Sequence, residues 1–317
     1  MRVPDQIKKC VLFVGLPGMP DPEYRGTGFI VTVAGANQNH FAFMVTARHV
    51  AEHLEGKDFY IRANRKDGTA VALRGLPDNP WWYHPNEREE VDAAVTIFSP
   101  QRLAELDVEH IPIVMFADSE AIERRDIGIG DEVFVTGLFT KITETTKNIP
   151  IVRTGSVAML PGEKIPFGDK LIYADLIELR SFGGLSGSPV FVRETVQIPH
   201  QLFTKRGQVV PLWGMGPFWF FGSIIGHWDE PANFTPLQKE AVNMGVSPIV
   251  PAHKIKEIIL QAELIEMMKK VDDEMRAKNQ KGAKLDFAQS KQDSFTKDDF
   301  EAALKKVSRK IAPEAKK

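Results

Sequence analysis

Over its first 253 residues the chain alternates short apolar runs with clusters of glycine and proline. Val11-Leu-Phe-Val14, Gly28-Phe-Ile-Val-Thr-Val33 and Phe41-Ala-Phe-Met-Val-Thr46 come first. Phe59-Tyr-Ile-Arg62, Ala93-Ala-Val-Thr-Ile-Phe98, Glu132-Val-Phe-Val-Thr136, Leu171-Ile-Tyr173, Val190-Phe-Val192, Phe218-Trp-Phe-Phe221 and Ser223-Ile-Ile225 follow. Runs this short, rich in β-branched and aromatic residues and bounded by turn residues, predict strands. Many such strands predict a sandwich or a barrel, and no fixed-period repeat points to a solenoid or propeller. Trp81-Trp82-Tyr83, after Pro80, reads as a cluster sealing a loop onto the core, with a substrate-binding platform as the alternative.

The pattern changes near residue 253. Ile255, Ile258, Ile259, Ala262, Ile265, Met268, Val271 and Met275 recur at helical spacing and predict a C-terminal helix over 254–278. Residues 279–293 are polar and read as a linker. Thr296 then offers an N-cap, Asp298 and Asp299 suit a first turn, and Phe295 can staple onto Phe300. Phe300, Leu304, Val307 and Ile311 form the apolar stripe of a short amphipathic tail helix within 279–317. Such a stripe packs on the body, on its own copy or on a docking partner, so the tail is a candidate for self-association or control.

Composition sharpens this division. Residues 254–317 carry 16 Lys and Arg against 12 Asp and Glu, whereas residues 1–253 carry 24 against 30. Hydrophobic residues make up 43% and charged residues 26% of the 317, ordinary values for a globular protein. The net charge of −2 gives no reason to expect nucleic acid or an anionic membrane as a partner. Cys10 is the one cysteine, so no internal disulfide forms and a reducing compartment such as the cytoplasm is the expectation. Lys8-Lys9 before Cys10-Val-Leu-Phe-Val-Gly-Leu-Pro17 resembles a leader only superficially. The apolar run is short, broken by Gly15 and Pro17, and is read as a first strand.

Three segments carry chemistry. Met44-Val-Thr-Ala-Arg-His49-Val is a strand running into a histidine. Val91-Asp92-Ala-Ala-Val-Thr-Ile-Phe98 opens a strand with an aspartate. Gly183-Gly-Leu-Ser186-Gly-Ser-Pro-Val-Phe191 puts a serine in a glycine-rich turn. A serine hydroxyl is a poor nucleophile near neutral pH. It needs an imidazole to take its proton, and the imidazole needs a carboxylate to fix its tautomer. Glycines before the serine let backbone N–H groups turn inward, where they can stabilise an oxyanion.

The order His, Asp, Ser is that of the chymotrypsin triad. In these blocks the sequence resembles the trypsin/chymotrypsin-like serine peptidases, specifically their intracellular HtrA-like branch. Thr46-Ala-Arg-His49-Val stands where that family has TAAH, Asp92-Ala-Ala-Val where it has DIAL, and Gly184-Leu-Ser186-Gly-Ser-Pro189 where it has GNSGGP. Gly26-Thr-Gly28-Phe-Ile, Ile129-Gly-Asp-Glu-Val-Phe-Val-Thr-Gly137 and Arg153-Thr-Gly-Ser-Val157 echo the HtrA-like branch further. The resemblance covers roughly residues 10–255 and includes no PDZ-like module.

The resemblance implies an all-β peptidase domain over 1–253, made of two antiparallel six-stranded β-barrels of chymotrypsin type, with C-terminal helices after it. It implies Ser186 as nucleophile, His49 as general base, Asp92 as the orienting carboxylate, and the N–H groups of Gly184 and Ser186 as the oxyanion hole. Substrate would be a protein or peptide, with no metal or organic cofactor. Leu185 departs from the acidic residue of digestive members and argues against a zymogen switch. Ser188 departs from the second glycine of the motif and adds a side chain behind the nucleophile. Arg180, six residues before Ser186, and His227 are candidate pocket residues that would favour an acidic side chain on the acyl side. The alternative leaves Arg180 in solvent and His227 in a loop.

Two competing readings remain. One is a catalytically silent peptide-binding module on the same fold. The other is a zinc peptidase, because His49-Val-Ala-Glu52-His53 matches H-x-x-E-H. That motif needs a helix through His49, where the pattern from Phe41 to Thr46 predicts a strand running up to the histidine. In the serine-peptidase reading Glu52 and His53 are surface residues. Gly184-Leu-Ser186-Gly-Ser188 lacks the last glycine of the α/β-hydrolase elbow, and the chain order is wrong for that fold.

Overall fold

The computed structural model describes residues 3–18, 23–35, 39–100, 103–139, 142, 146–181, 183–203, 209–226, 229–231 and 241–282. The expected tail helix over Thr296 to Ile311 lies outside the described residues, as does His227.

Helix α1 (Asp5–Lys9) leads into β1 (Val11–Leu16), where Val11 to Gly15 are all buried. There follow β2 (Glu23–Ala34), β3 (His40–Thr46), α2 (Arg48–Leu54), β4 (Phe59–Asn64), β5 (Ala70–Gly75), β6 (Trp82–Tyr83), β7 (Ala94–Ile97) and β8 (Ile111–Pro112). These strands form one sheet in the order β5-β4-β1-β2-β3-β7-β6, with β8 lying parallel to β2. Eight strands therefore stand in one sheet, with β5 and β6 at its two ends, where a six-stranded barrel was expected. The two extra ones, β6 and β8, are each two residues long; β6 extends the sheet beyond β7, and β8 pairs with Val31 and Thr32 of the interior strand β2.

The second half begins with α3 (Ser119–Arg124), capped by the Asp118 carboxylate, which accepts from the backbone N of Ala121 at 3.0 Å. It continues through β9 (Glu132–Gly137), β10 (Ile151–Met159), β11 (Lys164–Phe167), β12 (Lys170–Tyr173), β13 (Asp175–Glu178), β14 (Pro189–Phe203), β15 (Val209–Ile224), β16 (Asp229–Pro231), β17 (Ala241–Asn243) and β18 (Val246–Pro251). Here the six-stranded antiparallel barrel is closed, in the order β10-β13-β18-β15-β14-β9. The pairs β11–β12 and β16–β17 are separate ribbons.

The body is thus all-β, and helices close it. The single helix expected over 254–278 is two, α4 (Ala252–Ile259) and α5 (Ala262–Gly282). Gln261 makes the break, its Nε2 donating to the Ile258 carbonyl at 2.9 Å and satisfying an end-of-helix acceptor. The break shifts the apolar phase. Ile255, Ile258 and Ile259 are buried as expected, but Ala262 is exposed and Leu264 takes the core position beside Met268. No described helix is long and apolar enough to cross a membrane.

One apolar cluster fills the sheet side that carries Leu12, Ile30, Met44 and Phe59, with Leu54 of α2 packed on it, and another fills the barrel around Val135, Ile177, Val190 and Phe221. A third joins the halves. It takes Phe29, Val31, Phe43 and Val45 from the sheet, Phe134, Phe191 and Phe220 from the barrel, and Ile255 to Met268 from the helices. Phe220 stands at its centre, 5.1 Å from the Phe29 ring and 4.5 Å from Phe116. Burial of this shared surface fixes the two halves against each other, so residues at their seam have defined positions. Trp81 and Trp82 are both buried, in the sealing role, with Trp81 5.7 Å from Phe59.

Candidate active site

Strand β3 ends at Thr46, and the chain turns at Ala47 into α2. His49 is therefore on the first turn of a helix, a correction to the expected strand end. A first-turn N–H has no helical acceptor. For His49 that acceptor is Asp92, whose Oδ1 takes the backbone N–H at 3.0 Å while its Oδ2 takes ring Nδ1 at 2.8 Å. A carboxylate only accepts, so Nδ1 carries the proton and Nε2 keeps its lone pair. Asp92 is buried and the His49 side chain is 50% exposed, so the pair has a sheltered anchor and an accessible tip. Partial desolvation opposes charge on His49. The hydrogen bond and charge of Asp92 outweigh it and raise the imidazole pKa.

Arg48 faces the other way. Its guanidinium donates to Glu52 at 3.1 Å and to Glu89 at 3.2 Å, and Glu52 also pairs with Arg88. Glu52, the base of the zinc reading, is thus engaged with arginines, and His49 and His53 do not bring three ligand atoms together with any third described residue. Among the described residues only His84, Glu87 and Glu257 do so. There the Lys254 ammonium lies 2.6 Å from Glu87 and 3.2 Å from Glu257, an internal cation that ties α4 to the loop before Asp92.

Ser186 lies in the turn that enters β14. Leu185, the departure noted in the sequence, is fully buried in the barrel core and anchors the turn from below. Gly187 has φ +80°, and a Cβ there would stand 2.3 Å from Thr27 O and 2.6 Å from Thr46 Oγ1, so only glycine fits. This close approach docks the serine turn on the end of β3. Gly26 lies between the Val50 side chain, one residue past His49, and the Ser186 carbonyl. The seam therefore brings together the segments of His49, Asp92 and Ser186.

Within the turn Gly187 N donates to Ile224 O and Ser188 N to Leu185 O, each at 2.8 Å. The N–H groups of Gly184 and Ser186 have no acceptor among the described residues. The Ser186 hydroxyl donates to the Ile225 carbonyl at 3.2 Å. Its partner in this rotamer is the end of the barrel wall, not the imidazole. Ser188 is fully buried, and its hydroxyl has no partner among the described residues.

Arg180 is exposed, beside Gly245, rather than on a buried pocket floor. Thr27 is the site residue that sequence reasoning passed over. In the sequence it is only the middle of Gly26-Thr27-Gly28, a glycine-flanked threonine with no chemical signal of its own.

No protein-family model and no curated protein matches the chain. Among solved structures it is similar to the crystal structure of the MamO protease domain from Magnetospirillum magneticum (apo form). The identity is 15%, the match covers 81% of this chain and 98% of that one, and the TM-score is 0.45.

Proposed function

We propose that the protein is a serine endopeptidase of the trypsin-like type, close to the HtrA-like branch, acting through an acyl-enzyme. The observation that carries this reading is the double grip of Asp92 on His49, which leaves Nε2 as a base at the seam where the Ser186 turn docks. Ser186 rotates about χ1 from Ile225 O to Nε2, gives up its proton there and attacks the peptide carbonyl. The oxyanion that forms is held by the N–H groups of Gly184 and Ser186. His49 passes the proton to the departing amine, and a water repeats the sequence in reverse to release the acid. Leu185, buried in the barrel core, stands where a zymogen-pairing acid would be.

The test is labelling by a fluorophosphonate, beside Ser186→Ala. Labelling of the wild type that disappears in the variant supports the proposal; absence from both overturns it. The hydrogen bond from Ser186 to Ile225 O favours one second reading, a silent peptide-binding module in which the serine stays turned away. That reading expects saturable binding of peptides with no turnover and no labelling.

A further inference from the structure

Four hydrogen bonds meet at Thr27, a fully buried residue of β2. Its hydroxyl donates to Gly184 O at 2.9 Å and accepts from Leu138 N at 2.8 Å. Its backbone N–H donates to Ser186 O at 3.0 Å, and its carbonyl accepts from Thr46 Oγ1 at 2.8 Å. One residue of the first half thus holds two carbonyls of the serine turn, the loop after β9 and the strand end that leads to His49.

Building on the serine-peptidase reading, we infer that Thr27 is a positioning residue that sets the polarity of the oxyanion-binding turn. The pattern of bonds carries the inference. The carbonyls of Gly184 and Ser186 are both taken by Thr27, while the N–H groups of the same two residues have no acceptor among the described residues. A turn that binds an oxyanion must present N–H groups and keep its carbonyls away, since a carbonyl dipole turned into the site repels the developing charge. Gly184, at φ +100°, has no Cβ to resist rotation of its peptide. The Thr27 hydroxyl supplies that resistance from outside the turn. It is itself oriented by the Leu138 N–H, which fills its acceptor side and directs its one proton to Gly184 O.

The experiment compares wild type, Thr27→Val and Thr27→Ser in peptide hydrolysis, with kcat and KM separated and the pH profile recorded. Valine keeps the shape and removes the hydroxyl, and serine restores it. Thr27→Val is expected to lower kcat about 10- to 100-fold, the scale of a misplaced catalytic group, with KM changed less than about threefold. Thr27→Ser is expected within about threefold of wild type. The pH midpoint set by His49 stays where it is, because the Thr27 hydroxyl does not touch that pair. Wild-type kcat in Thr27→Val, equal loss in Thr27→Ser, or a pH midpoint that moves with kcat would overturn the inference.

Hydrogen exchange at Leu138 and over 183–188, in a Ser186→Ala background, reads the turn without turnover. Faster exchange in Thr27→Val, restored in Thr27→Ser, is expected; equal exchange in all three overturns the inference. If the wild type proves unreactive, the peptidase reading fails and this exchange arm still decides what Thr27 holds. Should Thr27→Val not fold, Thr27→Ala takes its place in both arms.

Discussion

Asp92 binds His49 at two points, accepting from ring Nδ1 at 2.8 Å and from the backbone N–H at 3.0 Å. One carboxylate therefore closes the first turn of α2 and sets the tautomer of its histidine. Asp92→Asn separates these two tasks. The amide oxygen can still accept the backbone N–H, so the fold survives with a small change in Tm. Its NH2 faces Nδ1 as a donor and drives the proton to Nε2, where a base is needed. Hydrolysis should fall by on the order of 10⁴-fold. A variant that keeps more than a tenth of wild-type kcat would show that Asp92 acts on the helix alone.

The raised His49 pKa has two consequences with opposite signs. The base must be neutral, so labelling of Ser186 should rise with pH, with its midpoint above the ordinary imidazole value of 6.5. Stability moves the other way. A folded-state pKa above the unfolded one adds stability that is complete below pH 6.5 and is lost as pH rises through the folded value. Partial burial works against the raised value, and the Asp92 hydrogen bond and charge maintain it. A labelling rate measured from pH 5 to 9 checks this, and a midpoint at or below 6.5 would mean that Asp92 does not dominate.

Gly187→Ala should damage both the fold and the chemistry. The new Cβ meets Thr27 O, Thr46 Oγ1 and Ala47 N at 2.3, 2.6 and 2.8 Å, in a backbone conformation that resists side chains. Strain and overpacking together cost at least about 2 kcal/mol. The contacts lie between the serine turn and the end of β3, so activity should be lost even where the protein remains folded. Thermal unfolding together with fluorophosphonate labelling tests this. An unchanged Tm would show that the turn can move away from Thr27 at little cost.

The candidate segments around His49, Asp92 and Ser186 stood out in the sequence because each is a local pattern. A glycine turn before Ser186, an aspartate opening a strand and a histidine after one are short-range patterns. The buried strands Val11–Leu16, His40–Thr46 and Glu132–Gly137 were legible for the same reason, as concentrated apolar runs. Strand β10 was missed because most of its residues are only half-buried and its sequence alternates weakly. Strand β18 carries Pro248 and Pro251, which count against a strand. Both are tolerated at register positions opposite Leu176 and Gly222. The break at Gln261 escaped because Ile255 to Met275 keeps a helical period across it. Thr27 escaped because its partners lie far along the chain, from Thr46, 19 residues away, to Gly184 and Ser186 at the other end of the body, contacts that no local pattern encodes.

Phe220 tests whether the seam depends on packing. It is fully buried and touches rings from both halves, Phe29 on the sheet side and Phe116 and Phe191 around the barrel. Phe220→Ala should cost about 3–5 kcal/mol. Ile129→Ala, at a side chain 72% exposed, should stay within about 0.5 kcal/mol. Denaturant titration of the two variants gives both numbers, and a similar small loss in each would mean that the halves do not share a core.

Asp175 gives a pH dependence of its own. It opens β13 opposite Ile249, and burial pushes its carboxyl up to about 7. In the unfolded chain the same group ionises near 3.8. Between these values the native state holds a proton that the unfolded state has released, so stability falls as pH rises from about 4 to about 7 and then levels. Asp175→Asn removes the titration and keeps the shape. The variant should gain Tm over wild type at pH 8, and the gain should shrink at pH 3, below the unfolded-state value of 3.8, where both states of the wild type are largely protonated. A Tm difference of the same size at both values would show that Asp175 is charged in the native protein. Its carboxylate would then have found a stabilising partner, and burial alone would no longer describe its position in the barrel.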